Sequence, residues 1–176
     1  MRRLSPTTQD EHLGTLMKTI FSADIVGQLG RSATWDTTAG PASEPLEVNV
    51  IFTEWQSTSA ASRAAESFAR GLGACIRLRA PIVVPMPLPL DQPPVSIHFM
   101  EQRLRDLIGQ PDPDGPDVAV DLYVCRDWLG TLLQELKPNS LVVMGGRKHW
   151  WPTRASRMAR ALGANGHRVA FVNVKE

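Results

Sequence analysis

Apolar positions along most of this chain fall into two alternating rhythms. Short apolar runs at 48–52, 76–84, 141–144 and 169–174 read as strands. Unbroken runs of this kind suit strands buried on both faces of a parallel sheet. Between 118 and 124, Val118, Val120, Leu122 and Val124 alternate with Ala119, Asp121 and Tyr123, which predicts a half-exposed strand at an edge. Arg77, Arg79 and Pro81 interrupt the second run and predict a strand near the sheet edge, or a bulge at Pro81. Helical spacing fills the gaps. Ser57 or Thr58 caps a helix running to Gly71, with Ala60, Ala61, Ala64, Ala65, Phe68 and Leu72 as core positions. A helix over 95–108 puts Phe99, Leu104, Leu107 and Ile108 mostly on one side. A short helix follows Trp128, and another over 154–164 faces inward through Ala155, Met158, Ala159 and Leu162. Regular strand–helix alternation predicts an α/β fold: a doubly wound, five-stranded parallel, Rossmann-like sheet with helices on both faces.

The first 46 residues depart from this rhythm. Leu13, Leu16, Met17, Ile20 and Phe21 share one face of a helix, Ser5-Pro6 is a helix start, and Gly27 and Gly30 end it. Thr, Ala, Gly, Pro and Ser dominate 31–45, a linker composition. The expected organisation is an N-terminal amphipathic helix and linker over 1–46, then one α/β domain over 47–176. Five prolines in 85–94 predict an extended, polyproline-like connector.

Composition narrows the function classes. The formal net charge is +1, which argues against a bulk nucleic-acid binder. No apolar run is long enough to span a bilayer, and Arg2-Arg3 is not followed by a signal-peptide core. Cytoplasmic location is the default expectation. Cys75 and Cys125 make no disulfide framework; on parallel neighbours they would sit at opposite ends, beyond disulfide reach. His12, His98, His149 and His167 have no metal-ligand spacing, and no nucleophile elbow or phosphate-binding P-loop is present.

The charge is uneven. Arg147, Lys148, Arg154, Arg157, Arg160 and Arg168 fall between Gly145 and Arg168 with no Asp or Glu among them, which leaves the rest of the chain at −5. Positive charge beside a glycine turn at Gly145-Gly146 and a helix N-terminus suits an anion.

The stretch Ser140-Leu141-Val142-Val143-Met144-Gly145-Gly146-Arg147 resembles the universal stress protein family, whose fourth strand ends in Met-Gly-Ser-Arg. The resemblance extends over 48–174. It implies strand order 3-2-1-4-5 and, in many members, ATP at the carboxyl edge. ATP is held there by an Asp after the first strand and a G-x-x-G-x9-G-S/T motif after the fourth. Here Gly145 fits the first glycine. Lys148 stands at the second, Met158-Ala159 at the final pair, and Thr53 at the Asp, with Glu54 next to it. The candidate anion or nucleotide site is therefore Thr53, Glu54, Gly145, Gly146, Arg147, Lys148 and Arg154, in degenerate form, with ATP or another adenine nucleotide as the ligand the resemblance suggests.

Two partner surfaces are expected. Trp55, Trp128, Trp150 and Trp151 all follow strands at the carboxyl edge, as a stacking platform or a protein interface. The run from Val169 to Val174 would be an edge strand without charged gatekeepers, which invites a homodimer. The function these features suggest is a non-enzymatic regulatory or stress-response domain acting by partner binding. The rivals are an accessory subunit of a membrane transporter or sensor kinase, and a nucleotide-dependent enzyme on the same fold.

Overall fold

The computed structural model describes residues 17–22, 46–109, 112–147 and 152–174. In chain order the elements are β1 (Met17–Ser22), β2 (Glu47–Ile51), α1 (Trp55–Leu72), β3 (Cys75–Val83), α2 (Ile97–Ile108), β4 (Val118–Cys125), α3 (Trp128–Glu135), β5 (Leu141–Arg147), α4 (Arg154–Ala164) and β6 (Arg168–Val174). The sheet order is β1-β4-β3-β2-β5-β6. The five strands from β2 onward are all parallel. Counted among themselves, they take the order 3-2-1-4-5, as expected. The chain turns back at the β2–β5 boundary, and helices cover both faces.

The two faces hold different cores. On one, α1 lays Ala61, Ala65 and Ala69, and α2 lays Leu104, against Val48, Val50, Leu78, Val120 and Val143. An alanine stripe lets α1 approach the sheet closely. On the other, Trp128 and Leu132 of α3 and Leu162 of α4 cover Ile51, Tyr123, Val142 and Met144. In α2 the inward positions are Leu104 with Ile97, Met100, Leu107 and Ile108, whereas Phe99 points outward at 54% exposure.

The N-terminal helix expected through Met17, Ile20 and Phe21 is corrected over that span. Met17–Ser22 is a strand, antiparallel to β4, with Met17 opposite Val124 and Ser22 opposite Ala119. The reason is competition for backbone bonds. The outer edge of β4 offers unpaired amides and carbonyls, and Thr19, Ile20 and Phe21 are good strand formers. Leu13, Leu16 and the linker over 31–45 lie outside the described residues.

Neither β3 nor β4 is an edge strand. β3 lies between β2 and β4, and β1 covers the far side of β4. Pro81 is tolerated for a local reason. Ile76 donates to the Asp117 carbonyl and Val84 to the Cys125 carbonyl, so even-numbered β3 amides face β4. Position 81 faces the other way, and the β2 pairing has already stopped at Ile51–Arg79. The missing N–H costs no ladder bond there.

The interrupting charges of β3 are the counterparts of those in β4. Register sets Arg79 opposite Asp121. The Arg79 Nε donates to Asn49 Oδ1 (2.8 Å) and its Nη1 to Tyr123 Oη (2.6 Å). Tyr123 donates to Asp121 Oδ2 (3.2 Å) and approaches Glu135 Oε2 (3.3 Å). Arg77 Nη1 reaches both Asp121 oxygens at 3.2–3.3 Å, and its Nη2 lies 3.4 Å from Glu47. Asn49, Arg79, Asp121 and Tyr123 are all buried. Burial foremost pushes the Tyr123 hydroxyl well above its ordinary range, against the pull of Arg79, so it stays a neutral donor.

The 85–94 segment is not an extended connector. Leu88 donates to the Pro85 carbonyl and Gln92 to the Pro89 carbonyl, giving two successive turns. Arg126 holds the first of them, donating to the carbonyls of Val84, Pro85 and Leu88.

Candidate functional site

A cavity of about 570 Å³ opens at the carboxyl edge, across the β2–β5 boundary. Ligand sites in such sheets sit at that switch point, and the volume is in the usual range for a small organic ligand. The loop after β2 lends Thr53 and Glu54. The end of β5 lends Gly145, Gly146 and Arg147, and the start of α4 lends Thr153 and Arg154. Six of the seven residues expected at the site therefore line one cavity, and Lys148 lies outside the described residues. The remaining wall mixes apolar residues, Pro81 and Val83 from β3, Trp128 and Leu129 from α3 and Met158 from α4, with Arg126 and Asp127 from the loop after β4.

The glycines do not play the part their sequence suggests. Gly145 and Gly146 are the last residues but one of β5, not a turn, and neither has a positive φ. Each is small because protein occupies the space beside it. A Cβ on Gly145 would collide with the Ser57 carbonyl oxygen and lie 2.5 Å from its carbon. A Cβ on Gly146 would lie 2.6 Å from Phe171 Cζ and 3.3 Å from Ala155 Cβ. The Cα hydrogens of these glycines face α1 on one side and the Phe171 ring on the other. Packing against α1 and Phe171 thus accounts for both glycines without a phosphate.

Thr53 is committed as well. Its hydroxyl donates to the Gly145 carbonyl (2.8 Å), and its amide donates to Thr58 Oγ1 (3.1 Å). It extends the β2–β5 seam and pins the α1 N-terminus. Glu54 is the residue before α1; it accepts from Ser57 Oγ (2.7 Å) and pairs with Arg147 Nε (3.4 Å). Arg147 also donates to Gln56 Oε1 (3.2 Å). Glu54, not Ser57 or Thr58, stands at the head of α1, because those two hydroxyls turn inward to close this loop. At α4, Thr153 Oγ1 accepts from the Ser156 amide (3.1 Å), so the helix begins in register facing the cavity. Arg154 follows it, exposed, and among the described residues it has no acidic partner.

The tryptophans part company. Trp55 opens α1 and stacks edge-on against Phe52 (4.9 Å), with the Arg103 guanidinium 4.8 Å from its ring centre. It lines a separate open recess with Arg63, Arg103 and Asp106. Trp128 is buried on the opposite face, 5.6 Å from Tyr123, and borders the cavity. The two do not form one platform, since the sheet lies between them. Trp150 and Trp151 lie outside the described residues.

Sequence reasoning missed Trp128's link to the buried network through Tyr123. The signal was Arg-x-Arg in one strand and Asp-x-Tyr in its neighbour, and it becomes readable only with the register in hand. The thiols are placed as expected. Cys125 aligns with Val83, eight residues along β3 from Cys75, a separation of about 26 Å, and both are free. Burial pushes both thiols up, the opposite of what a reactive thiolate requires. Among the described residues no group of three His, Cys, Asp or Glu could hold a metal, and no helix is long and apolar enough to cross a membrane. Comparison with protein-family models and with curated proteins finds no match for this chain.

Proposed function

We propose that this chain is a non-enzymatic regulatory domain of universal stress protein type, cytoplasmic, acting through a small ligand at the carboxyl edge and through partner binding. The observation that carries the reading is the cavity at the switch point, lined by Thr53, Glu54, Arg147 and Arg154. The 3-2-1-4-5 order supports the type. Two of the charged groups at the cavity are tied to structural partners: Glu54 to Ser57 and Arg147, and Arg126 to three carbonyls. This favours binding over the paired acid and base of an enzyme.

Adenine nucleotides should bind weakly or not at all, because Thr53 stands where the family pattern has an Asp, and Lys148 and Met158 where it has glycines. Calorimetric titration with Mg-ATP is expected to give a dissociation constant no tighter than about 1 mM, the weak end of the affinity scale. A micromolar value would remove the reading. Native mass spectrometry of the purified protein would report a retained ligand and the oligomeric state together.

A homodimer through β6 belongs to the same proposal. Among the described residues β6 pairs on one side only, with β5, and Phe171 is 39% exposed. A two-fold pairing of β6 with its copy would satisfy both edges. Sedimentation at tens of micromolar should show a dimer, and Asn173→Pro, which removes an amide that faces away from β5, should shift it to monomer. A monomer in the unsubstituted protein rules the dimer out.

A further inference from the structure

We infer that the carboxyl-edge cavity is built for a small organic oxyanion carrying a flat apolar body, a carboxylate or phosphate monoester rather than a nucleoside triphosphate. This rests on the reading of the cavity as a ligand site and names the ligand class.

The cavity is graded along the sheet. Its β2–β5 side carries Thr53, Glu54, Arg147 and Arg154; its β3–β4 side carries Pro81, Val83, Trp128 and Leu129, with Arg126 and with Asp127, whose carboxylate would repel an anion placed there. β3 and β5 are two strands apart, so the two sides are separated by about 10 Å. A ligand reaching across needs one charged end and one apolar end. Arg126, on the apolar side, is engaged by the Val84, Pro85 and Leu88 carbonyls, which occupy its Nη1 and Nη2 donors. On the polar side Arg154 has no acidic partner among the described residues and follows the α4 cap, where the helix dipole also favours negative charge. Glu54 sets an upper limit on the ligand's charge. Its carboxylate shares this wall, and a triphosphate would meet it as a like charge.

A second observation is independent of the charges. Trp128 is 92% buried, borders the cavity, and its indole N–H finds no acceptor among the described residues. A buried donor without an acceptor is costly, and a cavity-side acceptor would offset that cost. The oxyanion or a second acceptor on the ligand body, directly or through one water, supplies what the described residues do not. The indole face meanwhile offers the flat surface against which an aromatic body packs.

The test is a titration of full-length protein carrying 15N-labelled tryptophan, read by the indole N–H signals, with 2-naphthoate, 2-naphthyl phosphate, neutral 2-naphthamide, AMP and Mg-ATP as probes. Trp128→Phe assigns the signal and removes the donor while keeping a ring in the core. The naphthyl anions should move the Trp128 signal saturably and bind at least about tenfold tighter than the amide, the discrimination expected of a charge-assisted contact. Whichever anion binds more tightly identifies the headgroup. Arg154→Gln, at an exposed position, should erase most of the preference, whereas Arg157→Gln on the same helix should leave it. Equal binding of the amide, or no movement of the Trp128 signal by either anion, overturns the inference. If AMP or Mg-ATP moves that signal while the naphthyl anions do not, the ligand class is wrong and the cavity remains a ligand site. If no probe moves it, the ligand-site reading falls as well.

Discussion

Asp121→Ala is expected to destabilise the protein by about 3–5 kcal/mol, the cost of breaking a buried ion pair from one side. The carboxylate is fully buried and touches Arg77 at 3.2 Å, Arg79 at 3.5 Å and the Tyr123 hydroxyl at 3.2 Å. Removing it leaves two guanidinium groups side by side on one face of β3 with one acceptor fewer. Arg79 is 4% exposed and cannot turn to water. The contrast that isolates the cause is Arg70→Ala. Arg70 and Asp112 are closer, at 2.8 Å, but both side chains are more than half exposed. Solvent screening should hold that loss to about 0–1 kcal/mol. Urea unfolding of both variants, read as midpoint shifts at constant slope, decides whether burial or distance governs. Similar shifts for the two would show that the network contributes little.

That network also marks where the sequence stops being legible. Apolar runs and glycine stops predicted the parallel strands and four of the helices, because a strand buried on both faces and an amphipathic helix each leave a local imprint. The positions of Thr53, Glu54, Arg147 and Arg154 at one cavity followed from topology, since all carboxyl ends in a parallel sheet meet at one edge. Arg77, Arg79 and Asp121 read as signs of exposure, yet Arg79 and Asp121 are buried and Arg77 is partly so. A charge reports its surroundings only through its partner, and the partner here is forty-odd residues away in sequence. β1 was misread for a related reason. Met17, Ile20 and Phe21 fit helical spacing, but the open edge of β4 decides the backbone state, and no local pattern encodes that edge. Gly145 and Gly146 looked like a turn because glycine permits unusual φ; in the folded protein they are strand residues, small for the sake of their neighbours.

Gly145→Ala is therefore expected to destabilise by about 3 kcal/mol or more, the upper part of the overpacking range. The added methyl would overlap the Ser57 carbonyl. That obstacle is backbone in the first turn of α1, not the end of a flexible side chain. The turn cannot drift away cheaply. Thr53 is bonded to the Gly145 carbonyl at 2.8 Å and to Thr58 at 3.1 Å, and Ser57 is bonded to Glu54 at 2.7 Å. Ser57 and Thr58 are fully buried, so moving α1 outward opens space beneath Ala61 and Ala65. The matched control is Gly163→Ala. Gly163 lies inside α4, has no atom within 4 Å of a would-be Cβ, and lacks a positive φ. There the methyl should stabilise by about 0.5–1 kcal/mol through helix propensity and a less flexible unfolded chain. Opposite signs for the same chemical change would show that Gly145 is held small by the approach of α1. Because Thr53, Glu54 and Gly145 also line the cavity, any Gly145→Ala protein that still folds should lose affinity for an anion that Gly163→Ala binds normally.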